Sequence, residues 1–191
     1  MPKYTLNNIY IIIMNENTIK LLQCSTNDNV QSFTLCNQNF ISKCISIYDG
    51  DTATFCILLH NQLYKFKMRL SGIDTPEMRP SKKQYNRELE KKASIMSRNR
   101  LLQLVSDQEI QINMAYSRKE IRNILDKNRK LIYIKCGKCD KYGRCLVKLY
   151  NSDEYKKSFN NILVEEGYAY KYYGGKKMDN FINYFRININ I

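Results

Sequence analysis

Residues 40–70 contain three strand-like segments joined by two short turns, and this arrangement constrains the fold more than any other part of the sequence. FISKCISIY ends at Asp49-Gly50, TATFCILL follows it, and YKFKMRL begins after the turn formed by His60, Asn61 and Gln62. Asp-Gly between two such segments is a strong signal for a β-hairpin. The sequence therefore predicts three neighbouring antiparallel strands and a fold organised around a β-sheet.

The third segment, YKFKMRL, alternates strictly between apolar and basic residues. Such alternation places the apolar side chains on one face of a strand and the basic side chains on the other. Lys65, Lys67 and Arg69 therefore share one face. For Lys65 and Lys67 the simplest interpretation is a solvated face of the sheet, whereas Arg69 stands at the end of the strand, next to a group of carboxylates.

Three further segments have the pattern of helices. Residues 86–105 carry apolar side chains at helical spacing, and SRKEIRNILDKN opens with a capping box formed by Ser117 and Glu120. YKKSFNNILVEEG is predicted to be a helix with Ser152 as its N-cap and Gly167 as its end. A final helix is also predicted from about Met178 to Ile187.

Three more segments, EIQINMAY, LIYIKC and RCLVKLY, are predicted to be strands from their alternation or their β-branched and aromatic content. Short, mostly antiparallel strands with segregated helices are typical of the α+β class. We therefore expect a small β-barrel closed by helices.

The Asn-rich residues 1–38 are expected to form an N-terminal extension of the main domain, which is predicted to span residues 39–191. Two short pieces, Ile9–Met14 and Thr18–Gln23, have the composition of strands and predict a hairpin across residues 15–17. The extension contains no group of residues with recognisable chemistry.

The chain is strongly basic, because 31 Lys and Arg residues stand against 18 Asp and Glu residues and give a net charge of +13. This balance favours polyanionic partners, first nucleic acid and second an acidic membrane surface. The seven cysteines have no regular spacing, the N-terminus lacks the layout of a signal peptide, and no apolar run approaches a membrane span. We therefore expect free thiols and an intracellular location. The abundance of Asn, Ile and Lys is typical of an A/T-rich genome, viral or other.

Several kinds of catalytic site are excluded by the residues present. His60 is the only histidine and lies in a predicted turn, so there is no Ser-His-Asp or Cys-His arrangement. Cys136 and Cys139, with Cys145 nearby, have the CxxC spacing of zinc and redox sites. A zinc module would need a fourth ligand that the sequence does not supply, and ordinary strand cysteines are the favoured interpretation.

The acidic residues cluster in two motifs, YDGDT and GIDTPE. Because hairpins make the first three strands neighbours, Asp51 at the start of the second strand and Asp74 after the third can converge at one end of the sheet. Two carboxylates and a backbone carbonyl form a site of hard oxygen atoms that suits Ca²⁺ or Mg²⁺ rather than Zn²⁺. Pro76 fixes the backbone before Glu77, which helps to keep that carboxylate off the metal and available to a water molecule. Each motif alone is more often structural, but together with Arg69 they predict a site.

Basic residues complete this candidate site. GKCDKYGRC places Lys141, Tyr142 and Arg144 around a turn at Gly143. A phosphodiester that is attacked by water gains negative charge at phosphorus, and guanidinium groups that grip two oxygens stabilise that charge. Arg69 and Arg144 are the candidates, and together with a metal and a base they would suffice for phosphoryl chemistry without histidine.

The motifs D-G-D-T, R-L-S-G-I-D-T-P-E and D-K-Y-G-R, in this order, resemble those of the staphylococcal nuclease (thermonuclease) family. The resemblance extends over about Phe40 to Lys177, most of the chain. It implies an OB-type five-stranded antiparallel β-barrel with three helices. It further implies an endonuclease that hydrolyses DNA and/or RNA, prefers single strands, leaves 3′-phosphates and acts as a monomer without a membrane partner.

The resemblance also implies a role for each site residue. One Ca²⁺ would be held by Asp51, Asp74 and the backbone carbonyl of Thr75. Glu77 would act as the general base, and Arg69 and Arg144 would stabilise the phosphate in the transition state, with Arg144 also towards the leaving group. The nucleotide would be contacted by three further residues, Lys141, Tyr142 and Tyr173.

The basic segment around residues 117–130 resembles an insertion found in viral and eukaryotic relatives. Two interpretations remain open for it, an extension of the nucleic-acid-binding surface and a solvated surface helix. A second function also remains open for the whole domain, namely an OB-type module that binds single strands without cutting them. The retention of Asp51, Arg69, Asp74, Glu77 and Arg144 favours catalysis.

Overall fold

The computed structural model describes residues 16–175, 177, 178 and 185. The chain forms two compact units, Met1–Thr34 and Leu35–Ile191. Within the first unit, Glu16–Gln23 form a helix, α1, with no buried residue. The predicted strand at Thr18–Gln23 is therefore wrong. Glu16 in the first turn and Lys20 in the last complement the helix dipole, which favours the helix over a hairpin.

The other predicted strand of that hairpin, Ile9–Met14, lies outside the described residues. The predicted final helix at 178–187 also lies outside them, apart from Met178 and Phe185. The remaining elements belong to the second unit. They are β1 (Asn39–Ile47), β2 (Thr52–Leu59), β3 (Gln62–Leu70), β4 (Ile73–Asp74), α2 (Arg87–Ser106), α3 (Arg118–Lys127), β5 (Ile132–Cys139), β6 (Cys145–Tyr150), α4 (Phe159–Glu165) and β7 (Tyr170–Lys171).

Five strands form a closed barrel in the order β1-β2-β3-β6-β5, and β4 pairs with β7 in a separate two-stranded sheet. The predicted meander is confirmed, because β1 pairs antiparallel with β2 and β2 with β3. The expectation of an entirely antiparallel barrel is wrong at one position, since β3 and β6 are parallel. Between β3 and β6 the chain passes through β4, two helices and β5, and the two strands then run in the same direction.

The core lies inside the barrel and against α2. Alternation along β3 directs Met68 and Leu70 inwards, as the sequence predicts, and Phe55 of β2 is buried with them. Fully buried side chains of this core come from both the strands and the helix, and they include Phe55, Ile57, Met68, Leu70, Leu101, Leu102, Ile134 and Leu149. Removal of these side chains from water is the main stabilising contribution to the fold, at about 2 kcal/mol for each residue.

The helices agree with the sequence in place, and the capping box of α3 is present, since Ser117 and Glu120 exchange hydrogen bonds. The start of α4 differs from the prediction. Ser158, not Ser152, is the N-cap, and its hydroxyl accepts a hydrogen bond from the backbone of Asn161. Tyr155 has a φ of 52°, which is incompatible with a helical turn at that position and delays the start of α4.

The segment EIQINMAY does not form the predicted strand. Its backbone carbonyls are instead occupied by Asn99, a fully buried residue of α2, whose amide Nδ2 lies 3.2, 2.8 and 2.7 Å from the carbonyl oxygens of Gln111, Ile112 and Met114. A side chain therefore takes the place of a neighbouring strand, which a local pattern in the sequence does not reveal.

Replacement of Asn99 with alanine is expected to lower the free energy of unfolding by about 2 kcal/mol, because three partly buried carbonyl groups lose a side-chain donor. Urea unfolding followed by circular dichroism measures this change. Asn123→Ala on the exposed face of α3 is the matched control, and its effect should stay within about 0.5 kcal/mol. Equal effects of the two substitutions would show that Asn99 does not hold this segment.

Candidate active site

One groove of about 1060 Å³ is lined by all nine residues that the sequence predicts for the site. The groove is formed by the β1–β2 turn, the end of β3 with the loop beyond it, the β5–β6 turn and the segment after β7. The structure thus brings together residues that are far apart in the chain: Asp51, Arg69, Asp74, Thr75, Glu77, Lys141, Tyr142, Arg144 and Tyr173.

The β1–β2 turn positions Asp51 by close packing. The Asp49 carboxylate accepts a hydrogen bond from the backbone N–H of Asp51, at 3.1 Å, which fixes the turn. Gly50 lies so close to the next loop that a Cβ there would be 2.9 Å from Cγ2 of Thr75 and 2.7 Å from Cβ of Ser97. Only glycine therefore allows the turn, the Thr75 loop and α2 to meet.

Arg69 lies between the two carboxylates. Its Nη1 forms a salt bridge with Asp51, while its Nη2 donates to Asp74 at 2.7 Å and to the backbone carbonyl of Ile73 at 3.1 Å. Asp51 and Asp74 are almost fully buried. Hydroxyl groups add a hydrogen bond from Thr52 to Asp51, at 2.8 Å, and one from Tyr170 to Asp74, at 2.7 Å. Each carboxylate is thus held by a guanidinium and a hydroxyl.

The two carboxylates differ in their electrostatic environment. Burial, together with the charges of Asp49 and Asp74, raises the pKa of Asp51 to about 8. Burial acts in the same direction at Asp74, but hydrogen bonds from Tyr170 and Arg69 outweigh it and hold its pKa below the usual value. Negative charge at Asp51 is therefore only partly compensated by the protein, although Arg69 is adjacent.

This environment suits a divalent cation. Asp51, Asp74 and the carbonyl of Thr75 are hard oxygen donors, and a cation beside Asp51 would offset the repulsion between neighbouring carboxylates. The donor set therefore fits the Ca²⁺ that the resemblance implies. Among the residues that the structure describes, no group of three or more His, Cys, Asp or Glu side chains is arranged around a common metal position. Arg69 contacts both carboxylates directly.

Glu77 lies on the exposed side of the groove, with 54% of its side chain accessible. Lys177 contacts it through Nζ at 2.5 Å from Oε1, and the same Nζ lies 3.1 Å from Asp74. The backbone N–H of Glu77 donates to the carboxylate of Glu90 on α2 at 2.8 Å. Burial raises the pKa of Glu90. The loop that carries Glu77 is therefore fastened to α2, and its side chain is held over the groove.

The β5–β6 turn presents Arg144 through a carboxylate inside its own motif. Asp140 accepts hydrogen bonds from the backbone N–H groups of Tyr142 and Arg144, both at 2.9 Å, and from Nε of Arg144 at 2.7 Å. Gly143 has a φ of 77°, which completes the turn. Nη1 of Arg144 reaches the hydroxyl of Thr52 at 3.4 Å, so the second guanidinium lies next to the residue that holds Asp51.

Two exposed tyrosines border the groove. Tyr142 is 72% accessible and has Lys141 and Arg144 near its ring, and Tyr173 is 86% accessible. Pairing of β4 with β7 brings the segment of Tyr173 next to Gly72. There the backbone N–H of Tyr172 donates to the Gly72 carbonyl at 3.0 Å. Exposed aromatic rings beside basic side chains are typical of surfaces on which unpaired bases stack.

Four residues of the site were missed by the sequence analysis: Thr52, Asp140, Tyr170 and Lys177. Thr52 and Asp140 stand inside the motifs D-G-D-T and D-K-Y-G-R, and their polar side chains beside the predicted residues were the available signal. Tyr170 and Lys177 follow the last helix in a segment rich in tyrosine and lysine. No local pattern indicates that this segment returns to Asp74, because that contact depends on the β4–β7 pairing.

The cysteines of the described chain are free thiols, and Cys136 and Cys145 are buried in the barrel. These thiols are not part of any group of three or more His, Cys, Asp or Glu side chains placed to hold a metal ion in the part of the chain that the structure describes. No helix among the described residues combines the length and the apolar character needed to cross a membrane.

Comparison with known proteins agrees with the fold. The sequence matches the family described as staphylococcal nuclease homologue over residues 67–186, more than half of the chain. The chain therefore belongs to the staphylococcal nuclease family. An uncharacterized protein of Methanocaldococcus jannaschii is 27% identical to it over 161 residues, which cover 82% of this chain and 71% of the relative.

Proposed function

We propose that this protein is a Ca²⁺-dependent nuclease that hydrolyses phosphodiester bonds of DNA and/or RNA. The observation that carries the proposal is the position of Arg69, which holds Asp51 and Asp74 together in a groove that also contains Glu77 and Arg144. A preference for single strands agrees with the exposed rings of Tyr142 and Tyr173.

In this proposal each residue performs one step of an in-line displacement. Glu77, which is accessible from the groove, accepts a proton from the attacking water. Arg69 and Arg144 donate hydrogen bonds to the phosphate oxygens as charge develops on them, and Arg144 also faces the departing 5′-oxygen. That oxygen departs, takes up a proton from solvent to become a 5′-hydroxyl, and leaves a 3′-phosphate. Ca²⁺ on Asp51, Asp74 and the Thr75 carbonyl would supply further positive charge to the phosphate.

Lys141, Tyr142 and Tyr173 bind the nucleotide in this proposal. Lys141 and Tyr142 follow Asp140 in the turn that also carries Arg144, so a phosphate bound there lies close to the second guanidinium. Tyr173 borders the groove on the opposite segment, beyond β7. A strand held between the two would present one phosphate to Arg69 and Arg144.

The purified protein is expected to degrade single-stranded DNA when Ca²⁺ is added and to stop when a chelator is added. Ca²⁺ at about one hundred times its Kd should also stabilise the fold by about 2.7 kcal/mol in thermal unfolding. Asp51→Asn should abolish both effects, whereas Asp126→Asn on exposed α3 should leave both unchanged. Stabilisation of Asp51→Asn equal to that of the wild type would contradict the assignment of this metal ligand.

The competing function is a module that binds single strands without cutting them. One observation favours it, namely that Lys177 contacts both Asp74 and Glu77 and so provides a positive charge where the metal and the water would act. Binding of single-stranded DNA without cleavage under Ca²⁺, Mg²⁺ or Mn²⁺ would establish this function in place of the nuclease.

A further inference from the structure

A row of polar side chains continues the face of the barrel on which Arg69 lies. Ser46, Thr54 and Lys67 are cross-strand neighbours on β1, β2 and β3, so their side chains point to the same face. Thr52 and Arg69 form the next pair on that face, two residues further along. The two rows are about 7 Å apart by strand rise, close to the spacing of successive phosphates in an extended nucleic-acid strand.

Helix α3 adds two arginines to this row. Ile121 of α3 is buried in the core. Arg118 precedes it and Arg122 follows it in the sequence, about one helical turn apart. Both arginines line a recess of about 300 Å³ together with the row Ser46, Thr54 and Lys67. Three cationic side chains and three hydroxyl-bearing side chains, those of Ser46, Tyr48 and Thr54, line this recess, and no carboxylate lines it. Such a set of donors is typical of a phosphate contact.

The charges of the two arginines are not paired with an acidic side chain in the part of the chain that the structure describes. Arg118 and Arg122 make no salt bridge with any residue that the structure describes. The capping box at Ser117 and Glu120 fixes the start of α3, so the two side chains begin from an ordered backbone. Positive charge that is ordered but not paired within the protein is available to an external anion.

Tyr48 connects this recess to the active-site groove. It is the residue that lines both. Its ring is 40% accessible, and Nζ of Lys67 lies 5.5 Å from the ring centroid. A strand that leaves the groove on this side therefore crosses an aromatic ring before it reaches the cations. Alternation of a stacking surface with basic side chains matches the repeat of base and phosphate in a single strand.

We infer that this recess is a second phosphate-binding site, which holds the backbone of a single nucleic-acid strand where the strand leaves the groove over Tyr48. The inference rests on the proposed function of the groove. It assigns Lys67, together with Arg118 and Arg122 of the basic segment, to the binding of substrate beyond the cleaved bond. The site recognises phosphate groups and is indifferent to base sequence.

Binding of two probes tests this inference in the cleavage-deficient variant Glu77→Gln. One probe is an oligothymidylate of about 15 nucleotides and the other is a trinucleotide, which is too short to leave the groove. Arg118→Ala/Arg122→Ala should raise the Kd of the long probe about tenfold and reduce the slope of log K against log salt by about 1.4. The Kd of the trinucleotide should not change.

Two controls separate the recess from general electrostatics. Lys119→Ala/Lys127→Ala removes the same charge from the same helix, outside the recess, and should change the Kd of the long probe less than twofold. Tyr48→Leu should weaken the long probe while it preserves the salt slope, because a stacking contact releases no counterions. Equal effects of the two double variants on the long probe would overturn the inference.

Other outcomes are equally distinct. Loss of binding to phosphatidylserine vesicles in the arginine variant, with unchanged binding of the long probe, would assign the recess to membranes and overturn the inference. Failure of the proposed nuclease function would appear instead as no cleavage by the wild type, whether or not the trinucleotide binds in the groove. If the Kd of the long probe still rose in Arg118→Ala/Arg122→Ala, the recess would remain a phosphate-binding site even without the proposed nuclease function.

Discussion

Replacement of Glu77 with glutamine is expected to lower the rate of single-stranded DNA cleavage about 10³-fold and to leave the affinity for DNA nearly unchanged. Glutamine has almost the same shape as glutamate but cannot accept a proton from water. The backbone contact of residue 77 with Glu90 does not involve the substituted side chain, so the loop keeps its position. Single-turnover kinetics and fluorescence anisotropy measure the two quantities separately.

Glu77 also forms an ion pair with Lys177, and the experiment must separate that contact from proton transfer. Lys177→Met removes the ion pair and keeps the carboxylate, so cleavage should change far less than in Glu77→Gln. Glu88→Gln, an exposed residue on α2 outside the groove, should behave as the wild type. Cleavage by Glu77→Gln at the wild-type rate would exclude Glu77 as the base.

Replacement of Arg144 with alanine is expected to lower kcat about 10²-fold to 10³-fold with little change in KM. The guanidinium is needed most when charge develops on the phosphate, so its loss acts on the transition state more than on binding. The β5–β6 turn should survive, because Asp140 still accepts from the backbone N–H groups of residues 142 and 144. Arg144→Lys keeps the charge without the two-pronged geometry and should recover only part of the rate.

Lys138→Ala on the exposed part of β5 is the matched control for Arg144, since it removes a nearby positive charge outside the groove. Its kcat and KM should remain within about twofold of the wild type. Arg144 offers a cleaner test than Arg69, because the loss of Arg69 would also leave two buried carboxylates without their guanidinium. An effect of Arg144→Ala confined to KM would contradict a role in the transition state.

Features determined by neighbouring residues were predictable from the sequence. Asp49-Gly50 and the alternation of YKFKMRL specify the meander, and the short connections then require Asp51 and Asp74 to approach the same end of the sheet. The capping box of α3 is local in the same sense. The approach of the β5–β6 turn, with Arg144, came from the motif resemblance and is a consequence of barrel closure.

Features determined by distant residues were not predictable. EIQINMAY alternates like a strand, but its backbone carbonyls accept hydrogen bonds from the side chain of Asn99 instead of from a neighbouring strand. The contact of Lys177 with Asp74 depends on β4–β7 pairing over two residues, which is too short to leave a pattern. The N-cap of α4 is Ser158 and not the predicted Ser152, because the left-handed backbone of Tyr155 has no signature in composition.

The parallel ladder between β3 and β6 has a consequence for the chemistry. It consists of the pairs Met68–Cys145, Arg69–Leu146 and Leu70–Val147, and it is the shortest ladder of the barrel. Arg69 lies within this ladder and Arg144 comes directly before it, so the ladder sets the separation of the two guanidinium groups. Local opening of a short ladder requires less free energy than global unfolding. The separation of the two proposed catalytic arginines therefore depends on whether the β3–β6 ladder is intact, and the cleavage rate should fall when that ladder opens locally.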